Sequence, residues 1–114
     1  MILQKRNNLY DELCQTAASY FCMSVEECGP IGAELLLCLE AALNTLEKKH
    51  LEPSEPDFRE ALDNILRLSS RLHCPMLAEA AQDLKDSLEM PPHERLNVIN
   101  DCLHTVQTGK SCIP

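Results

Sequence analysis

The sequence predicts an all-α fold, a compact antiparallel bundle of four to five helices. Leu, Glu and Ala are the commonest of its 114 residues, and these residue types favour helix, as do its Lys and Gln residues. Residue types that suit a pleated sheet are few, with aromatic residues at 4% and no Trp. Proline and glycine divide the chain into about five amphipathic segments. The length is typical of one domain, so we expect a single domain over 1–114, with loose ends at 1–7 and 109–114.

The first two predicted helices lie on either side of the Gly29-Pro30 pair. The first runs from about Asn8 to Met23, and its apolar residues at helical spacing are Leu9, Tyr10, Leu13, Ala17, Tyr20 and Phe21. Pro30 suits the first turn of the second helix, because a proline there gives up no intrahelical hydrogen bond. This second helix runs to about Lys49. Its apolar stripe consists of Ile31, Leu35, Leu39, Ala42, Leu43 and Leu46.

The last three predicted helices each start near a proline. The third has Ser54 as its N-cap and Pro56 in its first turn. The fourth covers about 75–90, and the fifth covers about 92–107, with Gly109 as a stop signal. The residues that face inward on these three helices are Phe58, Leu62, Ile65, Ser69 and Leu72, then Met76, Leu77, Ala80, Leu84 and Leu88, then Leu96, Ile99, Leu103 and Val106. Because the connections are short, neighbouring helices should pack antiparallel.

Charge and cysteine usage limit the compartment and the partners. The net charge of −8 makes nucleic acid and anionic membrane surfaces poor partners, because both would repel an acidic surface. The longest apolar run, 35–39, is bracketed by Glu34 and Glu40, so we expect no membrane span, and the N-terminal residues lack the apolar core of a signal peptide. Seven is an odd number of cysteines, which indicates free thiols in a reducing compartment. We therefore expect a cytoplasmic protein whose cysteines pack as small hydrophobic residues.

The sequence predicts no catalytic, cofactor-binding or metal site. The run Gly109-Lys110-Ser111 matches only the end of a phosphate-binding loop, which needs a glycine at the position of His104 and a strand before it. The cysteines include no Cys-x-x-Cys pair, although a zinc site built from distant ligands is left open by the spacing. The four histidines fall on polar helix faces or at helix ends, which favours solvation over catalysis. We therefore expect a protein that is not an enzyme.

Residues 61–88 form a predicted hairpin of two helices, the second beginning with Leu77-Ala78-Glu79-Ala80-Ala81. This pattern resembles the central hairpin of histidine-containing phosphotransfer domains, which are helical bundles of similar length. The resemblance places Asp63 or Asn64 at the position of that family's phosphoacceptor histidine. Leu66-Arg67-Leu68 also lacks the small glycine that lets a response regulator approach. The resemblance therefore implies a degenerate bundle that docks a receiver domain without accepting phosphate.

Apolar residues outside the predicted core stripes indicate a protein-binding surface. Leu37 lies opposite the core stripe of the second helix, and Cys22 lies off the core face of the first. The alternative is an ordinary surface, since single exposed apolar residues are common. The sequence thus predicts a non-enzymatic interaction module (adaptor, regulator or small chaperone) that binds another protein's apolar helix, or a second copy of itself, through helix two. A small acidic chaperone or cofactor of a secretion apparatus is a further alternative.

Overall fold

Five α-helices contain most of the residues that the computed structural model describes, which are 8–114. The helices are α1 (Leu9–Phe21), α2 (Gly29–Lys48), α3 (Pro56–Arg71), α4 (Pro75–Ser87) and α5 (Pro92–Lys110), and a single 3₁₀ turn, Glu26–Cys28, precedes α2. The prediction of an all-α helical bundle is confirmed. The expectation of a loose end at 1–7 lies outside the described residues.

The helix starts follow the sequence signals with one exception. Helices α2 to α5 all have proline in the first turn, where its missing N–H breaks no intrahelical bond. The backbone N–H of Asp11 donates to the side chain of Asn8, which caps α1 at 2.9 Å. The N-cap of α3 is Glu55, so the prediction of Ser54 was wrong by one residue. At the other end of α1, Cys22 adopts a left-handed conformation with φ of 55°.

Helix α2 is the central element and packs against α1, α3 and α5. Contacts near both of its ends show that α2 and α5 run antiparallel. Gly109 in the last turn of α5 lies against Leu36, in the first half of α2. Arg95 in the first turns of α5 donates a hydrogen bond to the carbonyl oxygen of His50, just beyond the end of α2. This arrangement leaves one flank of α2 enclosed by α1 and α5 and the other flank beside α3.

The buried side chains of all five helices form one core cluster. Leu36 is fully buried although the predicted stripe of α2 omitted it. Tyr20 and Phe21 were predicted to face the core, but they are 69% and 52% exposed. The reason is that the contact of α1 with the core ends at Ala17 and Ala18, one turn earlier. The prediction for Leu88 was also wrong, because this residue follows the end of α4 and is exposed.

The three glycines of the chain all lie against the first turns of α1. A Cβ atom on Gly29 would lie 3.1 Å from the hydroxyl oxygen of Tyr10, and one on Gly32 would lie 2.6 Å from Sγ of Cys14. A Cβ atom on Gly109 would lie 3.1 Å from the backbone nitrogen of Tyr10. Real Cβ atoms essentially never approach to 2.6 Å and seldom to 3.1 Å, so glycine allows α1 to sit this near to α2 and α5.

The role of Gly109 corrects the predicted end of α5. The helix passes through Gly109 and continues to Lys110, so this glycine does not stop it. Lys110 forms an ion pair with Glu40 on α2 at 2.9 Å, and Ile113 packs against the core. Part of the predicted loose end at 109–114 is therefore packed, because α5 includes Gly109 and Lys110, and Ile113 contacts the core.

Arg95 is a buried charged residue that the sequence analysis missed. Its guanidinium donates hydrogen bonds to the backbone carbonyl oxygens of Ser87 at 3.3 Å, Met90 at 3.0 Å and Leu88 at 3.5 Å, besides that of His50. These acceptors lie at the C-terminal end of α4 and just after α2, where the negative ends of helix dipoles favour a cation. Arg95 therefore joins the ends of two helices to the start of α5.

The segment Glu26–Lys48, which contains α2, is the one helical stretch among the described residues that is long and apolar enough to cross a membrane, with a mean hydropathy of 1.2. We expected no membrane span because Glu34 and Glu40 flank the apolar run. The segment nevertheless meets the length and hydropathy criteria for a span, so these carboxylates do not exclude one. Length and composition do not separate a membrane span from a core helix. In the structure α2 packs against three other helices, and 28% of the most apolar window of the segment is buried.

Candidate protein-binding groove

A surface groove of about 660 Å³ separates α2 from α3. The residues that line it are Leu35, Cys38, Ala41, Ala42 and Thr45 on α2, and Asp57, Glu60, Ala61, Asn64 and Leu68 on α3. Six of these ten residues are apolar, and three of the six are alanines. The groove is thus a shallow, mostly apolar channel along the length of two helices.

Side-chain size explains why this groove exists. The core residues beneath it include Leu39, Leu43 and Phe58, which are large and buried. Side chains at a helix contact set the separation of the two axes, typically 8–10 Å. Ala41 is exposed and Ala61 is buried at the bottom of the groove, and both side chains are too short to fill the space between the two helices. The sequence signal for the groove is therefore a set of small residues beside a stripe of large ones on α2.

Leu37 lies on the rim of this groove. Its side chain is 49% exposed, and it occupies the turn before Ala41 on the outer face of α2. The structure therefore places Leu37 outside the core, although it does not line the groove itself. Its role in protein binding stays a prediction.

Cys22, the other predicted binding residue, belongs to a separate apolar patch at the end of α1. It is exposed beside Tyr20 and Phe21, whose rings meet edge to face with centroids 5.0 Å apart. Met23 and Val25 are also exposed. Sequence analysis missed this patch because it assigned both aromatic residues to the core. Cys22 does not line the groove, so the two predicted residues mark two different surfaces.

The cysteines divide into packed and exposed thiols. Four are buried, namely Cys14, Cys28, Cys74 and Cys102, whereas Cys22, Cys38 and Cys112 are exposed. Burial raises the pKa of Cys74 to about 11 and that of Cys102 to about 12. Such thiols stay protonated near neutral pH, which disfavours a nucleophilic role. The prediction that cysteines pack as small hydrophobic residues is confirmed for these four.

Glu12 faces a second concave surface but serves a structural purpose. This cleft, of about 410 Å³, lies between α1 and the connection from α3 to α4, and it is also lined by Arg71 and His73. One carboxylate oxygen of Glu12 accepts a hydrogen bond from the backbone N–H of Met76 at 3.0 Å and another from the thiol of Cys74 at 3.2 Å. Since α4 has no capping side chain of its own, Glu12 caps it from α1.

Three of the four histidines are exposed, and the fourth, His50, lies just after the end of α2. Nδ1 of His50 lies 2.8 Å from the carbonyl oxygen of Glu47, and His73, His93 and His104 are exposed. Within residues 8–114, no three His, Cys, Asp or Glu side chains are arranged so that they could hold a metal ion.

The two positions that the phosphotransfer resemblance singled out lie on different faces of α3. Asn64 lines the α2–α3 groove. Asp63 lines a separate surface depression on α3 together with Ser54 and Arg67. Neither side chain can accept phosphate as a histidine does, and docking of a receiver domain stays a prediction.

Similarity to other proteins does not identify the chain's function. No family model matches the chain, and no curated protein or solved structure shows significant similarity to it. Evidence for function therefore comes from the surfaces described above.

Proposed function

We propose that this protein is a non-enzymatic interaction module that holds a helix of a partner protein in the α2–α3 groove. The observation that supports this function is the groove itself, with its apolar floor between two packed helices. Helix-in-groove recognition uses such a surface, because an amphipathic helix can cover it with its apolar face. This interpretation includes the roles of adaptor, regulator and small chaperone.

The dimensions of the groove suit a helical segment. Asp57 and Leu68 line its two ends and lie eleven residues apart on α3, a length of about 16 Å, or three helical turns. Three turns of a partner helix present three or four apolar side chains on one face. Ala41, Ala42 and Ala61 leave room for large side chains of the partner.

A pair of matched substitutions tests the proposed site. Ala41→Glu puts a charge into the groove, whereas Ala78→Glu makes the same change on the exposed surface of α4. Both positions are exposed and helical, so both variants should fold with similar stability. Wild-type protein and the Ala78→Glu variant should retain the same partner from an extract of the source organism, and Ala41→Glu should lose it. A partner retained equally by all three would refute the groove as the binding site.

A second copy of the chain is an alternative occupant of the same face, since Leu37 is 49% exposed beside the groove. If two copies meet through this face, Leu37→Asp should leave a folded protein of smaller apparent mass. Light scattering after size-exclusion chromatography measures this mass. A wild-type oligomer whose mass does not change in Leu37→Asp would exclude Leu37 from the interface.

A further inference from the structure

We infer that the partner helix is charged at one end, with basic residues placed at the end of the groove where α3 begins and apolar anchors placed at the opposite end. This inference rests on the proposed function and specifies the partner's chemistry. It follows from the uneven distribution of charge along the groove.

Both charged residues that line the groove are acidic and lie towards one end. Asp57 and Glu60 occupy the first turns of α3, and no Lys, Arg or His of residues 8–114 lines the groove. Neither carboxylate takes part in an ion pair within residues 8–114. The opposite end is formed by Leu35 and Leu68. The groove therefore offers unpaired negative charge at one end and apolar surface at the other.

Neighbouring cations offset the acidic end only in part, because no Lys or Arg of residues 8–114 lines the groove or forms an ion pair with its two carboxylates. Arg59 lies closest along the chain, but it lines a separate depression on α3 with Glu60. The ammonium of Lys49 pairs with Glu55 at 3.1 Å and also interacts with the charge of Asp57, and both carboxylates raise the pKa of Lys49. Lys48 is exposed at the end of α2 and is not among the groove residues. The helix dipole adds only a partial positive charge at the start of α3, less than the two carboxylates carry.

The charges beyond the other end are of mixed sign. Glu34 precedes Leu35 on α2, whereas Arg67 and Arg71 lie in the last turns of α3. This end therefore attracts neither sign strongly. A complementary partner helix should therefore carry positive charge at the end that meets Asp57 and Glu60, and apolar side chains at the end that meets Leu35 and Leu68.

Spacing on α3 converts the charge pattern into a sequence pattern for the partner. Glu60 and Leu68 lie eight residues apart on one helix, which corresponds to about 12 Å. A partner helix that lies along the groove should therefore carry Lys or Arg about two turns from its apolar anchor. Both chain directions satisfy this spacing, so the position of the basic end is determined while the direction of the partner chain is not.

Two synthetic peptides test the placement. Each is a 16-residue amphipathic helix of the same composition, with a leucine face in one half and two lysines in the other; the lysines are C-terminal in the first peptide and N-terminal in the second. A nitroxide label at the lysine end should broaden the amide NMR signals of Asp57 and Thr45 for both peptides. A label at the leucine end should broaden those of Leu35 and Leu68.

Charge-neutral variants measure the same effect as affinity. The Asp57→Asn, Glu60→Gln double variant should weaken binding of both peptides by about three- to tenfold at low salt, and by less at high salt. The matched control is Glu79→Gln with Asp83→Asn, which removes two exposed carboxylates from α4 and should leave the affinity unchanged.

The outcomes separate this inference from the proposed function. The charge placement is wrong and the groove stands if the peptides bind and Ala41→Glu prevents binding, but each label broadens the two ends equally. Equal binding to the two double variants would have the same meaning. If neither peptide binds the groove and Ala41→Glu also retains the natural partner, the proposed function fails together with the inference.

Discussion

Small residues lie on both flanks of α2, but they permit a close helix contact on one flank and border an open groove on the other. On the flank towards α1 and α5, Gly32 lies so close to Cys14 that one added carbon would overlap with its sulfur atom. On the flank towards α3, Cys38, Ala41 and Ala42 border an open groove. Small residues thus permit a close helix contact on one side and leave a channel on the other.

The neighbours explain this difference. On the close-packed flank, Tyr10 of α1 fills the space that the glycines leave. On the groove flank, α3 lines the groove with the buried Ala61 and the exposed, polar Asn64, while larger core residues keep the two helices apart. A small residue indicates a close contact only where a large one meets it. The groove is therefore a consequence of small residues on both helices.

Substitution of Arg95 should cause the largest loss of stability, because its hydrogen bond to His50 fixes the C-terminal end of α2 and so affects both flanks. Arg95→Met keeps most of the side-chain volume but removes the guanidinium donor from four carbonyl oxygens, of which only that of Ser87 keeps a hydrogen bond from the backbone N–H of Met90. We expect a loss of about 3 kcal/mol in the free energy of unfolding, measured by urea denaturation. Arg59→Met, at an exposed position on α3, is the control and should change it by less than about 0.5 kcal/mol. Equal effects of the two substitutions would show that Arg95 does not hold these helix ends.

Gly32→Ala should disrupt the close-packed flank directly. The new methyl group would overlap with Sγ of Cys14, so we expect a loss of about 2 kcal/mol despite the better helix propensity of alanine. Cys14→Ala removes that sulfur. In a double-mutant cycle, Cys14→Ala should cost less in the Gly32→Ala background than in the wild type, with a coupling of at least about 0.5 kcal/mol. Additive effects would mean that the two side chains do not oppose each other.

Cys14 and Cys38 report on the two flanks without a change of fold. At pH 8, iodoacetamide should label Cys38 at least about a hundredfold faster than Cys14, because Cys14 must first be exposed by unfolding. Mass spectrometry of digested samples measures both rates. Similar rates at the two sites would contradict the close packing of α1 against α2.

Alkaline pH should weaken the packing around the buried thiols whose pKa is raised, and Cys14 on the close-packed flank is one of them. Burial raises the pKa of Cys14, so the folded state favours the neutral thiol. The stability due to this thiol is complete below the pKa of an unfolded cysteine, near 9, and is lost as pH rises through the higher folded value. Cys14→Ala should therefore reduce the loss of stability above pH 9, and Cys38→Ala should not. Chemical denaturation at pH 8 and pH 10 measures the difference.

The smallest change in the free energy of unfolding should come from a substitution that fills the groove. Ala41→Leu adds three carbons on the open flank, where we expect a change of less than about 0.5 kcal/mol. The same denaturation experiment checks it, with Ala78→Leu on α4 as the control for exposed leucine. A loss above about 1 kcal/mol in Ala41→Leu alone would mean that the groove is too narrow to receive a partner's side chain.

Helix content and helix starts could be predicted from the sequence, because they depend on local signals. Helix-forming residues, first-turn prolines and apolar spacing act within one or two turns of the chain. The exposure of Leu37 was predictable for the same reason, since a helical wheel places it opposite the core stripe. Every α-helix in the described residues starts within one to two residues of its predicted position.

The surfaces that bear on function were decided by tertiary structure. The apolar spacing of α1 could not show that its core contact ends at Ala18, which exposes Tyr20 and Phe21. Gly109 carried the local signal of a helix stop, yet the approach of Tyr10 made it a packing residue inside α5. The α2–α3 groove exists only when two helices, which together span about forty residues of chain, pack side by side with their small residues aligned. The sequence by itself thus determined which segments are helical, since that free energy is local, whereas contacts between distant segments decided which faces remained open to a partner.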